Sequence, residues 1–236
     1  ILGVGRGAFA YEMALLDAPL EESLEKFNES LDVLNALLTK EEVSWKGKYY
    51  NFDKLTVMPR PMTENGPPIM MAVLNPEGIY QCTKKGFHIL TTPLSGDHHL
   101  MLDQVDGFNR AKQELGQKGE DLSLSLSRVA FIAKNEKDKR EKLEMAYEYY
   151  SRFDNVFTGP GKVSHGMIDI LPRKQSMEEL DESLLICSVE EMIDKLSPYE
   201  EIGIDRLILN MNFGASQKDT MTSIQQFAEK VSPHFS

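Results

Sequence analysis

Short apolar runs alternate with amphipathic stretches along the whole chain. Residues 1–5 read as the end of a buried strand. From Leu20 to Leu38, apolar Leu24, Phe27, Leu31, Leu34 and Leu38 recur in steps of three and four, which predicts a helix with one buried stripe. Residues 43–52, VSWKGKYYNF, carry β-formers around one glycine and predict a hairpin. Pro59, Pro61, Pro67 and Pro68 then exclude helix and central strand, so 39–68 reads as a surface excursion.

A second series follows. Residues 69–73 predict a buried strand, and Pro76 to Lys85 a short helix opened by proline and stopped by Gly86. Strands are expected at 87–90 and 122–133, and helices at about 97–116 and 136–153. Residues 154–187 read as an irregular insertion, with Thr158-Gly159-Pro160-Gly161 and Pro172 inside it. Ser188 and Glu191 have capping-box spacing and open a helix to Ile202 that Gly203 closes. Residues 206–210 predict a last strand, and about 217–231 a last helix.

This alternation predicts an α/β fold with a parallel sheet and helices outside it. Five strand starts are visible, near 1, 69, 87, 125 and 205. A closed eight-stranded barrel takes about 250 residues, and three more units of about 30 residues each would complete one. Five strands alone would leave two unpaired edges. The expectation is one domain over 1–236, an incomplete TIM (β/α)8 barrel of about five of eight βα units.

Composition narrows the partners. The net charge of −11 argues against nucleic acid or an anionic membrane as the main partner. No apolar run approaches the roughly 20 residues that span a bilayer. Cys82 and Cys187 form no CxxC pair, which points to free thiols and a cytoplasmic location. Neither His98 nor His99 stands in a metal-ligand spacing, so no metal is expected. GVGRG lacks the spacing of a dinucleotide fingerprint, and no phosphate loop or nucleophile elbow is present.

Two strand ends carry candidate chemistry. Gly5, Arg6, Gly7 and Ala8 follow the first strand, where flanking glycines let backbone approach a ligand and a guanidinium suits a phosphate. A plainer role for Arg6 is an ion pair with Glu12. Ala72, Leu74, Asn75, Pro76 and Gly78 end the second strand and open a helix, whose free N–H groups and positive dipole end suit an anion. Thr91 and Thr92 end the third strand. Tyr149, Tyr150 and Phe153 either wall a cavity or belong to the core.

Gly3-Val4-Gly5-Arg6-Gly7 with Glu12, and the helix containing Glu21-Glu22-Ser23 and Phe27-Asn28-Glu29, resemble the bacterial-luciferase-like flavin-dependent monooxygenases. So do Trp45-Lys46-Gly47-Lys48-Tyr49-Tyr50-Asn51-Phe52, Met58-Pro59-Arg60-Pro61, Pro67-Pro68-Ile69, residues 72–78 and Gly203-Ile204-Asp205. The resemblance implies a TIM barrel that this chain enters at the fourth strand, the first three units being absent. It implies FMN, or in one branch F420, at the C-terminal mouth of the barrel. A separate flavin reductase would supply reduced FMN, which with oxygen oxidises a small organic substrate such as an aldehyde, alkane or sulfonate.

The resemblance also implies a homodimer when the protein is intact, and a mobile segment over the site where 154–183, with His165, stands. Gly5, Arg6, Gly7, Ala8, Ala72, Leu74, Asn75, Pro76, Gly78 and Thr92 would bind the cofactor. Catalytic residues are not assigned. This sequence departs from the family at Leu24, where an arginine is usual, and at Asn75 and Gly78, where hydroxyl residues are usual. Those losses leave open a non-catalytic flavin-binding relative, and an F420- or NADPH-linked reductase shares the fold.

Overall fold

The computed structural model describes residues 1–235 other than Asp17, Glu64, Asp97 and Thr158. The expected helix start at Asp97 and the Thr158 of the expected irregular stretch thus lie outside the described residues. The chain forms two compact units, Ile1–Met70 and Met71–Ser236.

In the first unit, strand β1 (Leu2–Val4) is followed by helices α1 (Ala10–Leu15) and α2 (Leu20–Thr39). The Leu2 amide donates to the Pro68 carbonyl at 2.8 Å. The expected stripe on α2 needs correction at its start, because Leu24 is 56% exposed while its neighbour Ser23 is buried, and the fully buried apolar positions are Leu31, Val33 and Ala36. A hairpin of β2 (Val43–Lys46) and β3 (Asn51–Leu55) and the Arg60 segment engage α2 at Glu25, Glu29, Leu37 and Leu38.

Glu29 fastens that hairpin. Its carboxylate accepts from the amides of Lys48, Tyr49 and Tyr50 at 3.0 Å each and from the Trp45 indole at 3.1 Å. A Cβ at residue 47 would lie 1.8 Å from Glu29 Oε1, so glycine is what lets the turn close on the carboxylate. Arg60 donates to the carbonyls of Leu37 and Leu38, two of the acceptors a helix end leaves without intrahelical partners. Pro59, Pro61, Pro67 and Pro68 all lie outside helices and strands.

Strand β4 (Ile69–Ala72) leads into the second unit, which continues with α3 (Pro76–Lys84), β5 (His88–Thr91), α4 (His98–Leu115), β6 (Leu124–Ile132) and α5 (Glu136–Phe157). After these come a small antiparallel hairpin, β7 (Val163–Ser164) and β8 (Met167–Ile168), then α6 (Met177–Ser183), β9 (Leu185–Cys187), α7 (Val189–Glu201), β10 (Arg206–Asn210) and α8 (Gln217–Gln226). The sheet order is β4-β5-β6-β10, with β9 also on β6. β5, β9 and β10 all run parallel to β6, in registers Ile89↔Leu124, Ala130↔Leu185 and Arg206↔Ser125. The α/β fold with a parallel sheet is as expected.

Two local expectations need correction. Five strand starts omitted β9, whose three residues are all buried. The stretch 154–187 is also far from irregular. It holds the end of α5, the β7–β8 hairpin, α6 with a full capping box between Ser176 and Glu179, and β9. Buried Asn155 ties the hairpin down, donating to the carbonyls of Lys162 and Asp169 and accepting from the Lys162 amide. Arg173 reaches Asp154 at 3.1 Å and Ser95 Oγ at 2.6 Å and lies over the rings of Tyr147 and Tyr150.

β6 carries the core. Its Val129 and Phe131 pack with Leu143, Ala146, Tyr150, Leu180, Leu184, Ile186 and Phe213, and Phe131 meets Phe213 edge-on at 6.0 Å. Removing a buried aromatic of this kind costs about 3–5 kcal/mol.

Candidate functional site

The candidate residues fall into one group in each unit. In the first, Gly5, Arg6 and Gly7 are exposed just past the end of β1, and Ala8 is half-buried. Gly7 has φ +86°, and a Cβ there would press on Met13 Sδ at 3.3 Å, so both conformation and space favour glycine. The ion pair with Glu12 is not formed, and Arg6 has no partner among the described residues. Its guanidinium is a free cation beside a glycine turn. Leu24, where the family pattern has an arginine, is an exposed apolar side chain and offers no donor.

In the second unit, β4 ends at exposed Ala72 and α3 begins four residues on. Asn75 is the N-cap, and its Oδ1 accepts from the Gly78 amide at 3.1 Å. Pro76 has no N–H, so the Glu77 amide is the first-turn donor left without an intrahelical partner. The Glu77 carboxylate is turned along the helix and accepts from Gln81 at 2.8 Å. A Cβ at Gly78 would meet Val73 Cγ2 at 3.0 Å, which accounts for the absence of a hydroxyl side chain: the strand end packs there instead.

Sequence reasoning missed the residue that sets this region's spacing. Gln104 on α4 is buried, and its Nε2 donates both to the Leu74 carbonyl at 2.7 Å and to the Thr92 carbonyl at 3.1 Å. One side-chain amide thus joins the loops after β4 and β5. Gly107, one turn on, brings α4 against the start of α3, since a Cβ there would lie 2.6 Å from the Pro76 carbonyl oxygen. The available signal was a lone glutamine on a helix face otherwise made of Met101, Val105 and Phe108.

Thr92 also accepts from the Leu94 amide at 3.0 Å, so its hydroxyl shapes its own turn. Thr91 is buried, and its hydroxyl has no hydrogen-bond partner among the described residues. Tyr149, Tyr150 and Phe153 do come together, with ring centroids 4.8–6.0 Å apart. Tyr150 donates to the Leu94 carbonyl, and Tyr149 accepts from Asn210 at 3.1 Å. Burial raises the Tyr150 phenol well above its ordinary pKa, which keeps it a hydrogen-bond donor throughout the working range. Tyr150 belongs to the core described above, and Tyr149 and Phe153 pack against it.

His165 is exposed at the tip of the β7–β8 hairpin, and His98 and His99 open α4. Among the described residues no three of His, Cys, Asp or Glu are placed to hold a metal. Cys82 and Cys187 are both free thiols. No helix among the described residues is long and apolar enough to cross a membrane.

These strand-end turns sit in a sequence whose residues 1–206 match the model of the family described as luciferase-like monooxygenase. The chain belongs to this family. The oxygenase component of the flavin-dependent trigonelline monooxygenase of Acinetobacter baylyi is 23% identical over all of this chain and 67% of its own length. A monooxygenase structure from Streptomyces bottropensis superposes with a TM-score of 0.75, at 18% identity, over 99% of this chain and 68% of that one. The oxygenating constituent of 3,6-diketocamphane monooxygenase from Pseudomonas putida, solved with FMN, gives 0.72 at 15% identity over 100% and 71%. F420-dependent enzymes are also among the relatives. The chain spans about two thirds of the length of the relatives it matches.

Proposed function

We propose that this chain forms the flavin-phosphate part of a luciferase-like monooxygenase that uses reduced FMN and oxygen to oxidise a small organic substrate. The observation that carries the reading is Arg6, a guanidinium without an acidic partner among the described residues, in a glycine turn at the C-terminal end of a strand. Active sites of βα barrels are built at that end of the strands. Each unit by itself offers donor chemistry that suits a phosphate: a guanidinium in the first, and in the second a free amide at a helix start with an orphaned buried hydroxyl at Thr91.

In this reading Arg6 binds the phosphate, with Gly5, Gly7 and Ala8 giving it backbone access. Glu77 N–H adds a donor at the positive end of α3. In the second unit Ala72, Leu74, Asn75, Pro76, Gly78 and Thr92 are the cofactor contacts of this reading, and Gln104 holds the loops that carry Leu74 and Thr92. The bound flavin supplies the redox chemistry; the protein orients it and keeps water away. The same reading carries a separate reductase as source of reduced FMN, a homodimer as the working assembly, and an eight-unit barrel of which this chain supplies the later units.

A second reading, a flavin-binding relative without turnover, is favoured by one observation: Asn75 Oδ1 already occupies the Gly78 amide that an anion would use. A third, an F420-linked reductase, rests on the F420-dependent relatives. Titrating the protein with FMN and with F420, each followed by its own absorbance or fluorescence, separates these. FMN binding that Arg6→Ala weakens by roughly 1.5–3 kcal/mol, the range for a hydrogen bond to a charged group, supports the proposal. Equal affinities of variant and parent would remove Arg6 from the site. Preference for F420 would move the assignment to the third reading. FMN binding without oxygen-dependent consumption of any offered aldehyde, alkane or sulfonate favours the second.

A further inference from the structure

A second charged site lies elsewhere in the second unit, apart from the strand-end turns. Arg128 stands in the middle of β6 and is only 6% exposed. Its Nη2 donates to the Ser183 carbonyl, while Nε and Nη1 are buried with no hydrogen-bond partner. Among the described residues no carboxylate pairs with it. A buried guanidinium cannot shed its charge by deprotonation, and leaving it uncompensated is costly. Structures retain such a group where something negative meets it.

The space for that partner is present. Arg128 lines a cavity of about 100 Å³ shared with Lys195, Glu182, His98, Tyr199 and Met101. Lys195 brings a second cation, held by the carbonyls of Leu184 at 3.1 Å and Asp181 at 3.3 Å and by no carboxylate among the described residues. The nearby Asp181 carboxylate is engaged by Lys139 at 2.9 Å. Among the described residues Glu182 is the one acid in the lining, and it is exposed at the cavity edge. Among the described residues two cations face one rim acid, which makes the lining positive.

We propose that this cavity binds a small oxyanion, either an inorganic one such as phosphate or sulfate or the carboxylate of a small organic acid, with Arg128 and Lys195 as its ligands. The volume suits such an ion and excludes a flavin. The site is distinct from the proposed flavin-phosphate contacts, shares no residue with them and stands whether or not the chain binds FMN. Because the anion meets α4, β6, the α6–β9 junction and α7, its binding would tie those four elements together.

Calorimetric titration of the protein with phosphate, sulfate and acetate, with chloride as control, tests this, alongside the thermal midpoint in each salt. The expected result is saturable heat and a raised midpoint with at least one oxyanion and not with chloride; phosphate or sulfate against acetate decides the source. Arg128→Met should abolish both effects, and Arg6→Ala should leave both intact. Glu182→Gln, a change at an exposed position that does not threaten folding, should tighten the oxyanion about twofold to fivefold, the scale of one screened charge. No oxyanion effect in the parent overturns the proposal. So does an effect that Arg6→Ala removes, or one that Glu182→Gln leaves unchanged or weakens.

Discussion

Glu29 shows how much structure one half-buried carboxylate can organise. Burial works to raise its pKa, but the hydrogen bonds from Tyr49, Tyr50, Trp45 and Lys48 outweigh it and hold the group below the ordinary carboxylate value. Because the folded form prefers the charged state, its contribution is complete above the unfolded pKa and is lost as pH falls through the folded one. Trp45 is the sole tryptophan and donates to this carboxylate, so its emission reports the contact directly. Emission is expected to stay constant on acidification through the usual carboxylate range and to shift only below it. Glu29→Gln should show the shifted emission already at neutral pH, and a parent transition at or above the usual range would contradict the account. The sequence placed Glu29 in the family pattern but not its role, because four donors converging on one side chain is a tertiary fact. Arg6 was legible as a strand-end cation; its freedom from Glu12 was not. Arg128 was also in plain view, a charge interrupting the apolar alternation of LSLSRVAFI, yet only the fold shows that no carboxylate among the described residues answers it.

At the scale of elements, helices of two or more turns were readable because their period repeats. The capping box at Ser188 marks α7 as expected, with Ser188 Oγ accepting from the Glu191 amide at 3.2 Å. Ser188→Ala should cost about 1 kcal/mol in urea unfolding. β9 was not readable, since three residues cannot display a period and Leu184–Cys187 resembles any buried run. The α3–α4 contact was equally hidden, because its key residue is a glycine. Gly107→Ala would force its methyl to within 2.6 Å of the Pro76 carbonyl oxygen, and about 1–3 kcal/mol of overpacking is expected. Because the displaced atom belongs to the first residue of α3, FMN affinity should fall together with stability. Calorimetric unfolding and FMN titration of the same variant check both; full affinity in a destabilised variant would mean that α3 does not contribute to the phosphate contact.

For the molecule as a whole, fold class was legible and closure was not. Strand–helix alternation establishes a parallel sheet, but the count of strands depends on short segments that carry no rhythm. The second unit offers a built-in probe of its own opening. Cys187 is fully buried in β9 and burial pushes its thiol up to about 11, whereas Cys82 on α3 is only half-buried. An unionised, inaccessible thiol reacts only when the structure opens. Alkylation of Cys187 at neutral pH should therefore track global unfolding of the unit, with Cys82 modified sooner; mass spectrometry of a timed reaction decides it. Equal rates would mean that β9 frays locally.

The amide of Gln104 has a consequence for anyone who would retool this protein for a new substrate. Both of its donor hydrogens are committed to carbonyls on different loops, so glutamate would set a negative charge against two acceptors and asparagine would fall a methylene short. Loop grafting after β4 or β5 must therefore preserve the distance between two backbone oxygens, whatever else it changes. The practical unit of redesign is the pair of loops with α4 between them, exchanged together.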